Sequence, residues 1–163
     1  NPTHTFVTFE AEHYGTSTSR GRFDRKEGRV EFNRAARTGK VDITIDTASI
    51  NTGVAPFNSH LQSKDFFNSA VHPSARFTGD KFTFRGDKVS AVAGTLTMLG
   101  KAVPVTLKAG NFNCYMNPLF KREVCGGDFE TTIQRSQWGM NWGIEMGIPD
   151  NVRLLIQVEA IQQ

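Results

Sequence analysis

Leucine is scarce in this 163-residue chain: seven Leu stand against thirteen Phe, twelve Val, eight Ile and sixteen Thr. Helical bundles favour Leu, Ala and Glu, whereas β-branched and aromatic side chains suit a pleated surface, so the shortage argues for β structure. Long apolar runs are missing as well. The longest aliphatic one, Leu154-Leu155-Ile156, falls far short of the ~20 residues that cross a bilayer as a helix. Charge of one sign is nowhere concentrated: nineteen Lys and Arg against sixteen Asp and Glu leave a net +3. The densest basic stretch, Arg20 to Arg29, is interrupted by Asp24 and Glu27. Nucleic-acid binding draws most of its affinity from a basic face, so no nucleic-acid partner is expected. No leader peptide opens the chain at Asn1-Pro2, and the expectation is either a cytosolic protein or one whose leader has been removed.

Cysteine is limited to two residues, which excludes a disulfide-dense miniprotein. Cys114 and Cys125 enclose ten residues with Pro118 near the middle. Two strands joined by such a loop could bring the thiols within bonding distance, the alternative being two unconnected buried thiols. The spacing suits neither a Cys-x-x-Cys redox motif nor a zinc site. A Cys114–Cys125 disulfide is the preferred reading, and with it an oxidising compartment.

A 38% hydrophobic content over 163 residues is that of one folded domain, taken as residues 1–163. Its dominant pattern is alternation. Val41, Ile43 and Ile45 share a face, as do Val103, Val105 and Leu107, and Leu96 joins Met98. The period recurs in Val7, Phe9 and Ala11, in Phe82-Thr83-Phe84 and in Val152 to Glu159. Turn signals lie at Glu27-Gly28, Thr38-Gly39, Gly79-Asp80, Arg85-Gly86-Asp87 and Leu99-Gly100-Lys101. The expected fold is all-β, a single antiparallel barrel or sandwich of about eight strands. One short helix is expected over Phe57 to Phe67, opening after Pro56, and a second helical turn near Gln134 to Trp138. Trp138, Met140, Trp142, Ile144, Met146 and Ile148 fall on alternate positions and would form one apolar face if extended.

Catalysis has little support. None of His4, His13, His60 and His72 forms a metal-ligand pair, so no metal is expected, and no nucleophile elbow, phosphate loop or dinucleotide fingerprint occurs. A hydrolytic site from His13, His60 and Asp65 is the minority reading, against hydrogen-bonded histidines on the barrel wall. The aromatic excess reads either as core or as the lining of a pocket, because an eight-stranded barrel is wide enough to hold one ligand.

The motifs in order resemble the YceI-like polyisoprenoid-binding family over nearly the whole chain. Phe9, His13, Gly15, Ser17, Gly21 and Phe23 match its opening pattern. Asp46-Thr47-Ala48-Ser49-Ile50-Asn51-Thr52-Gly53 and His60-Leu61-Gln62-Ser63-Lys64-Asp65-Phe66-Phe67 match two central segments. His72-Pro73-Ser74-Ala75-Arg76-Phe77, Gly94 to Gly100, Pro104 to Leu107 and Arg135 to Met140 follow. The resemblance implies an extended lipocalin-like barrel, periplasmic or secreted, holding an amphiphile with an isoprenoid tail, either a quinone such as ubiquinone or a polyprenyl chain. The tail would lie among Val41, Ile43, Ile45, Leu96, Met98 and Leu107, with Phe66, Phe67, Trp138 and Trp142. Phe23, Leu61, Phe77 and Met140 would complete the lining. The head group would sit at a mouth near His13, Tyr14, Asn58 or His60. The protein would be a carrier and not an enzyme, meeting membranes transiently, with homodimerisation through an exposed mouth or edge as a further expectation. A surface interaction module with a filled interior is the remaining alternative.

Overall fold

In the computed structural model, which describes residues 1–163, alternation builds ten antiparallel strands. They are β1 (Phe6–His13), β2 (Ser17–Phe23), β3 (Lys26–Asn33), β4 (Thr38–Asp46) and β5 (Ile50–Asn51), then β6 (Ser74–Arg85), β7 (Lys88–Met98), β8 (Lys101–Asn117), β9 (Arg122–Gln134) and β10 (Asn151–Ile161). The single α-helix, α1, spans Ala55–Gln62, with Pro56 in its first turn. Short 3₁₀ segments cover Thr47–Ser49 and Arg135–Trp138. The helix stops earlier than expected: Phe66 and Phe67 lie in the turns behind it.

All ten strands join in one sheet, in the order β3-β4-β6-β7-β8-β9-β10-β1-β2-β5. No ladder pairs β3 with β2, so the sheet is a curled half-barrel with two edges and not a barrel closed by hydrogen bonds. No helix is long and apolar enough to cross a membrane.

The count corrects the expectation of eight strands, and the reason lies in glycine and charge. Glu27-Gly28 is not a turn but the middle of β3, where Gly28 pairs with Ile43. Thr38-Gly39 opens β4 for a related reason: the Phe82 ring lies on Gly39 and leaves no room for a Cβ. Gly79-Asp80 is a bulge inside β6, where the register shifts between Gly79 and Lys81. β9 contains Gly126-Gly127-Asp128, which hides its alternation from a hydropathy scan. Arg85-Gly86-Asp87 and Leu99-Gly100-Lys101 do mark turns, those joining β6 to β7 and β7 to β8.

The inward faces form two apolar clusters. One gathers Ala75, Phe77, Val89, Val92, Leu96 and Met98 from β6 and β7 against Val105, Leu107, Ile133 and Trp138. The other packs Val7, Phe9, Phe23, Ile45 and Ile50 against Leu61, Phe66 and Met140. Phe67, Leu99, Val152, Leu154 and Ile156 touch both, so the core is continuous.

Cys114 lies directly across the β8–β9 ladder from Cys125, and the two form a disulfide eleven residues apart in sequence. A loop of this size contributes about 3 kcal/mol by restricting the unfolded chain. At about 2–4 °C per kcal/mol for a chain of this length, the Cys114→Ser/Cys125→Ser variant is expected to melt about 6–12 °C lower. A thermal scan by circular dichroism reads this directly, and an unchanged midpoint would contradict it.

Candidate functional site

The C-terminal loop is organised by a buried cation. Arg135 is 3% exposed, and its guanidinium donates to the carbonyls of Pro149 (2.9 Å), Met140 (3.0 Å), Trp142 (2.8 Å) and Ile148 (3.4 Å). Burial lowers its pKa from the ordinary arginine value, and the nearby Asp150 works in the opposite direction. Asp150 also accepts from the backbone and hydroxyl of Ser136. The alternating run from Trp138 to Ile148 is therefore not extended, and its side chains do not form one face. Gly139, Gly143 and Gly147 carry φ of 81°, 79° and 93°, which turns the chain back at every fourth residue and wraps it around Arg135.

The histidines are divided among separate places. His60 holds Asp65 at 2.9 Å and packs edge-on against Trp142 and Phe66, at centroid distances of 4.5 and 5.1 Å. No hydroxyl or thiol hydrogen-bonds to its ring. His13 is exposed and stacks edge-on with Tyr14, whose hydroxyl donates to the Met146 carbonyl at 3.0 Å. Both groups border the loop around Arg135, but no contact joins them. Asn58 is occupied by Thr52, accepting from its backbone N–H and its hydroxyl at 2.7 Å each. His60 with Asp65 resembles an oriented base without a nucleophile.

The apolar void lies at the opposite end of the sheet. Sixteen residues surround about 60 Å³, and fifteen of them are hydrophobic. Val30, Phe32, Val41 and Ile43 face it from β3 and β4, Phe77 and Phe82 from β6, and Val89 and Val92 from β7. Leu107 and Phe112 of β8, Cys125, Gly126 and Phe129 of β9, and Ile156, Val158 and Ala160 of β10 complete it. The curl of the sheet closes this end: Phe32 meets Phe112, four strands away in the order, edge-on at 5.8 Å. Outside that aromatic contact, Arg34 grips Glu123 with bonds of 2.7 and 2.8 Å.

Of the side chains expected along a ligand, Val41, Ile43, Phe77 and Leu107 border the void. Ile45, Leu61, Phe66, Met140 and Phe23 are packed in the cluster beneath α1, and Leu96, Met98 and Trp138 in the β6–β9 cluster. Phe67 bridges the two clusters, and Trp142 lies half-exposed on His60. The void's other twelve walls, Phe32, Phe82, Phe112, Phe129, Val158 and Ala160 among them, were not foreseen as a lining. Their signal was the aromatic excess itself, together with the same-face spacing of Val158 and Ala160 behind Val152, Leu154 and Ile156.

Charge elsewhere is ordinary. A broad hollow on the outer sheet face mixes Glu27, Arg29, Glu31, Lys40, Asp42 and Lys81. There Arg76 binds Asp42 through two bonds of 2.6 and 2.9 Å, which hold the Asp42 carboxyl below the usual carboxylate range. Cys114, Glu123 and Cys125 are close enough to suggest a metal. Both sulfurs are committed to the disulfide, however, and Glu123 to Arg34.

Comparison with known proteins agrees with this geometry. The YceI-like domain matches residues 1–160. Protein YceI of Escherichia coli O157:H7 is 32% identical over 161 residues, covering 98% of this chain and 83% of that protein. BcnA of Burkholderia cenocepacia superposes with a TM-score of 0.81 at 24% identity, covering 98% of each chain. A polyisoprenoid binding domain from Saccharophagus degradans shares the fold with a TM-score of 0.66 at 16% identity, covering 97% of this chain and 94% of that one.

Proposed function

Since this chain belongs to the YceI-like family, we propose that it is a non-enzymatic carrier that holds an isoprenoid lipid by its tail. The observation that carries this reading is the void at the β3–β4 and β8–β9 end, with fifteen apolar residues among its sixteen walls. The polyisoprenoid binding named for the Saccharophagus degradans domain points the same way. A saturated or isoprenoid chain has no polar group to satisfy, so a lining of Phe, Val and Ile suffices. Removing about 500 Å² of tail from water contributes about 12 kcal/mol gross, before the cost of association and ordering.

The chemistry of the lining fits a tail, but its present volume does not. Small-molecule sites enclose about 300–1,000 Å³, against about 60 Å³ here. Entry of a tail therefore requires the half-buried Phe32, Phe82 and Phe112 to swing aside, and the Phe32–Phe112 contact is the natural gate. Ubiquinone is the quinone we favour as cargo. The disulfide supports an oxidising compartment, periplasmic or extracellular.

Organic extraction of the purified protein followed by mass spectrometry is expected to release an isoprenoid lipid. A quinone would add an ultraviolet band that changes on reduction. Ala160→Leu would place three more carbons against the void; it is expected to weaken uptake of added ubiquinone or polyprenol at least tenfold with little change in melting. Protein that yields no lipid and takes up neither compound would sink the proposal.

A further inference from the structure

The β8–β9 hairpin outruns its neighbours. The β7–β8 ladder ends at Ala91 and Lys108, and the β9–β10 ladder ends at Val124 and Ile161, yet β8 and β9 remain paired out to Asn117 and Arg122. The projecting tip is apolar. Met116, Leu119 and Phe120 are 66%, 85% and 48% exposed. The presentation is built into the backbone: the Asn117 side chain accepts from the N–H groups of Leu119 and Phe120, and Lys121 takes φ of 53° to return the chain. Consecutive exposed apolar residues on a rigid projecting turn differ from the scattered ones of any surface.

The charge around this tip is predominantly positive. The β3–β4 turn supplies Arg34 and Arg37, and the hairpin supplies Lys121 and Arg122. The one carboxylate in the two turns, Glu123, is paired with Arg34. Arg37, Lys121 and Arg122 remain, on a protein whose other surfaces mix both signs. The same two turns flank the end of the apolar void, where Phe32 and Phe112 meet.

We propose that this end docks on an anionic membrane surface. Leu119, Phe120 and Met116 enter the interfacial layer, the three cations face lipid phosphates, and the gate between Phe32 and Phe112 opens towards the bilayer. The proposal deepens the carrier reading and rests on it for the cargo, whereas the docking itself is tested without isoprenoid lipid.

The experiment is flotation of the full disulfide-bonded chain with vesicles of phosphatidylglycerol or of phosphatidylcholine alone. Each basic residue near an anionic surface is worth about fivefold in affinity, so the preference for phosphatidylglycerol is expected to reach about 100-fold at low salt and to shrink as salt rises. Leu119→Ser/Phe120→Ser is expected to lose at least tenfold on the anionic vesicles. Lys121→Glu/Arg122→Glu is expected to erase the preference between lipids. All four positions are at the surface, and a melting scan checks that each variant is folded. The proposal is overturned by wild-type protein that stays off anionic vesicles, or by variants that bind as wild type does. It is overturned equally if the tip instead joins two copies of the chain, seen as a wild-type dimer that the serine variant dissolves. Uptake of polyprenol from detergent micelles separates the two readings: a protein that floats with vesicles but takes up no polyprenol refutes the cargo and keeps the docking.

Discussion

Replacing Arg135 by methionine is expected to destabilise the protein by about 3–5 kcal/mol, a fall of about 6–20 °C in the melting midpoint. Methionine follows the aliphatic stem of arginine and ends before the guanidinium, so the packing of the stem is largely kept. The penalty comes from the carbonyls of Met140, Trp142, Ile148 and Pro149, which all point at the guanidinium. An unsatisfied buried acceptor costs about 1–3 kcal/mol, and some of the four would recover water as the loop loosens. Arg135→Lys keeps the charge, but a single ammonium cannot reach acceptors spread around a planar fork, so about half the loss is expected. Urea unfolding of the three proteins distinguishes the cases. A methionine variant within 1 kcal/mol of wild type would mean that the loop is held by its own turns and that the cation is incidental.

The loop also shows where reading the sequence by period fails. Trp138, Met140, Trp142, Ile144, Met146 and Ile148 alternate as well as any strand in the chain. Yet Gly139, Gly143 and Gly147 occupy the intervening positions with left-handed φ, and a cation four carbonyls deep outweighs the pattern. Propensity registers hydrophobic spacing and cannot register a partner that the residues acquire only after folding. The strands that were legible, around Val41 to Asp46, Val103 to Lys108 and Val152 to Glu159, are ones whose alternation no glycine interrupts. β3 and β9 were obscured by Gly28 and by Gly126-Gly127, where two backbones approach too closely for a side chain.

The candidate site was legible in kind more than in place. An excess of Phe over Leu, shared faces of Val and Ile, and the His60 to Phe67 segment all pointed to an apolar interior. The division of that interior into packed core and open void depends on how far the sheet curls, and curl is a property of ten strands together. Phe112 illustrates this. Nothing near it in sequence distinguishes it from a core residue, and it becomes a wall only because β8 bends back until its ring meets Phe32. The helix end, which carries the strongest motif, became instead a filled plug of Leu61, Phe66 and Met140.

That division yields the second large effect. Trp138 is 1% exposed, and its indole N–H donates to the Leu96 carbonyl at 3.0 Å. Trp138→Ala is expected to cost about 3–5 kcal/mol through lost contacts and the cavity left behind. Trp138→Phe, which removes the donor and part of the ring, is expected to cost about 1–3 kcal/mol. Neither change touches the void, because Trp138 is not among its walls. Under conditions where each variant is folded, uptake of ubiquinone or polyprenol per folded molecule is therefore expected to match wild type. Ala160→Leu is expected to behave in the opposite way, stable but poor at uptake. With Trp138 replaced, the half-exposed Trp142 beside His60 is the only tryptophan left, and its red-shifted emission reports whether the Arg135 loop still stands. Should Trp138→Phe lose lipid uptake while that emission and the melting curve stay near wild type, the tail would have to run through the plug, and the void between Phe32 and Phe112 would not be the binding site.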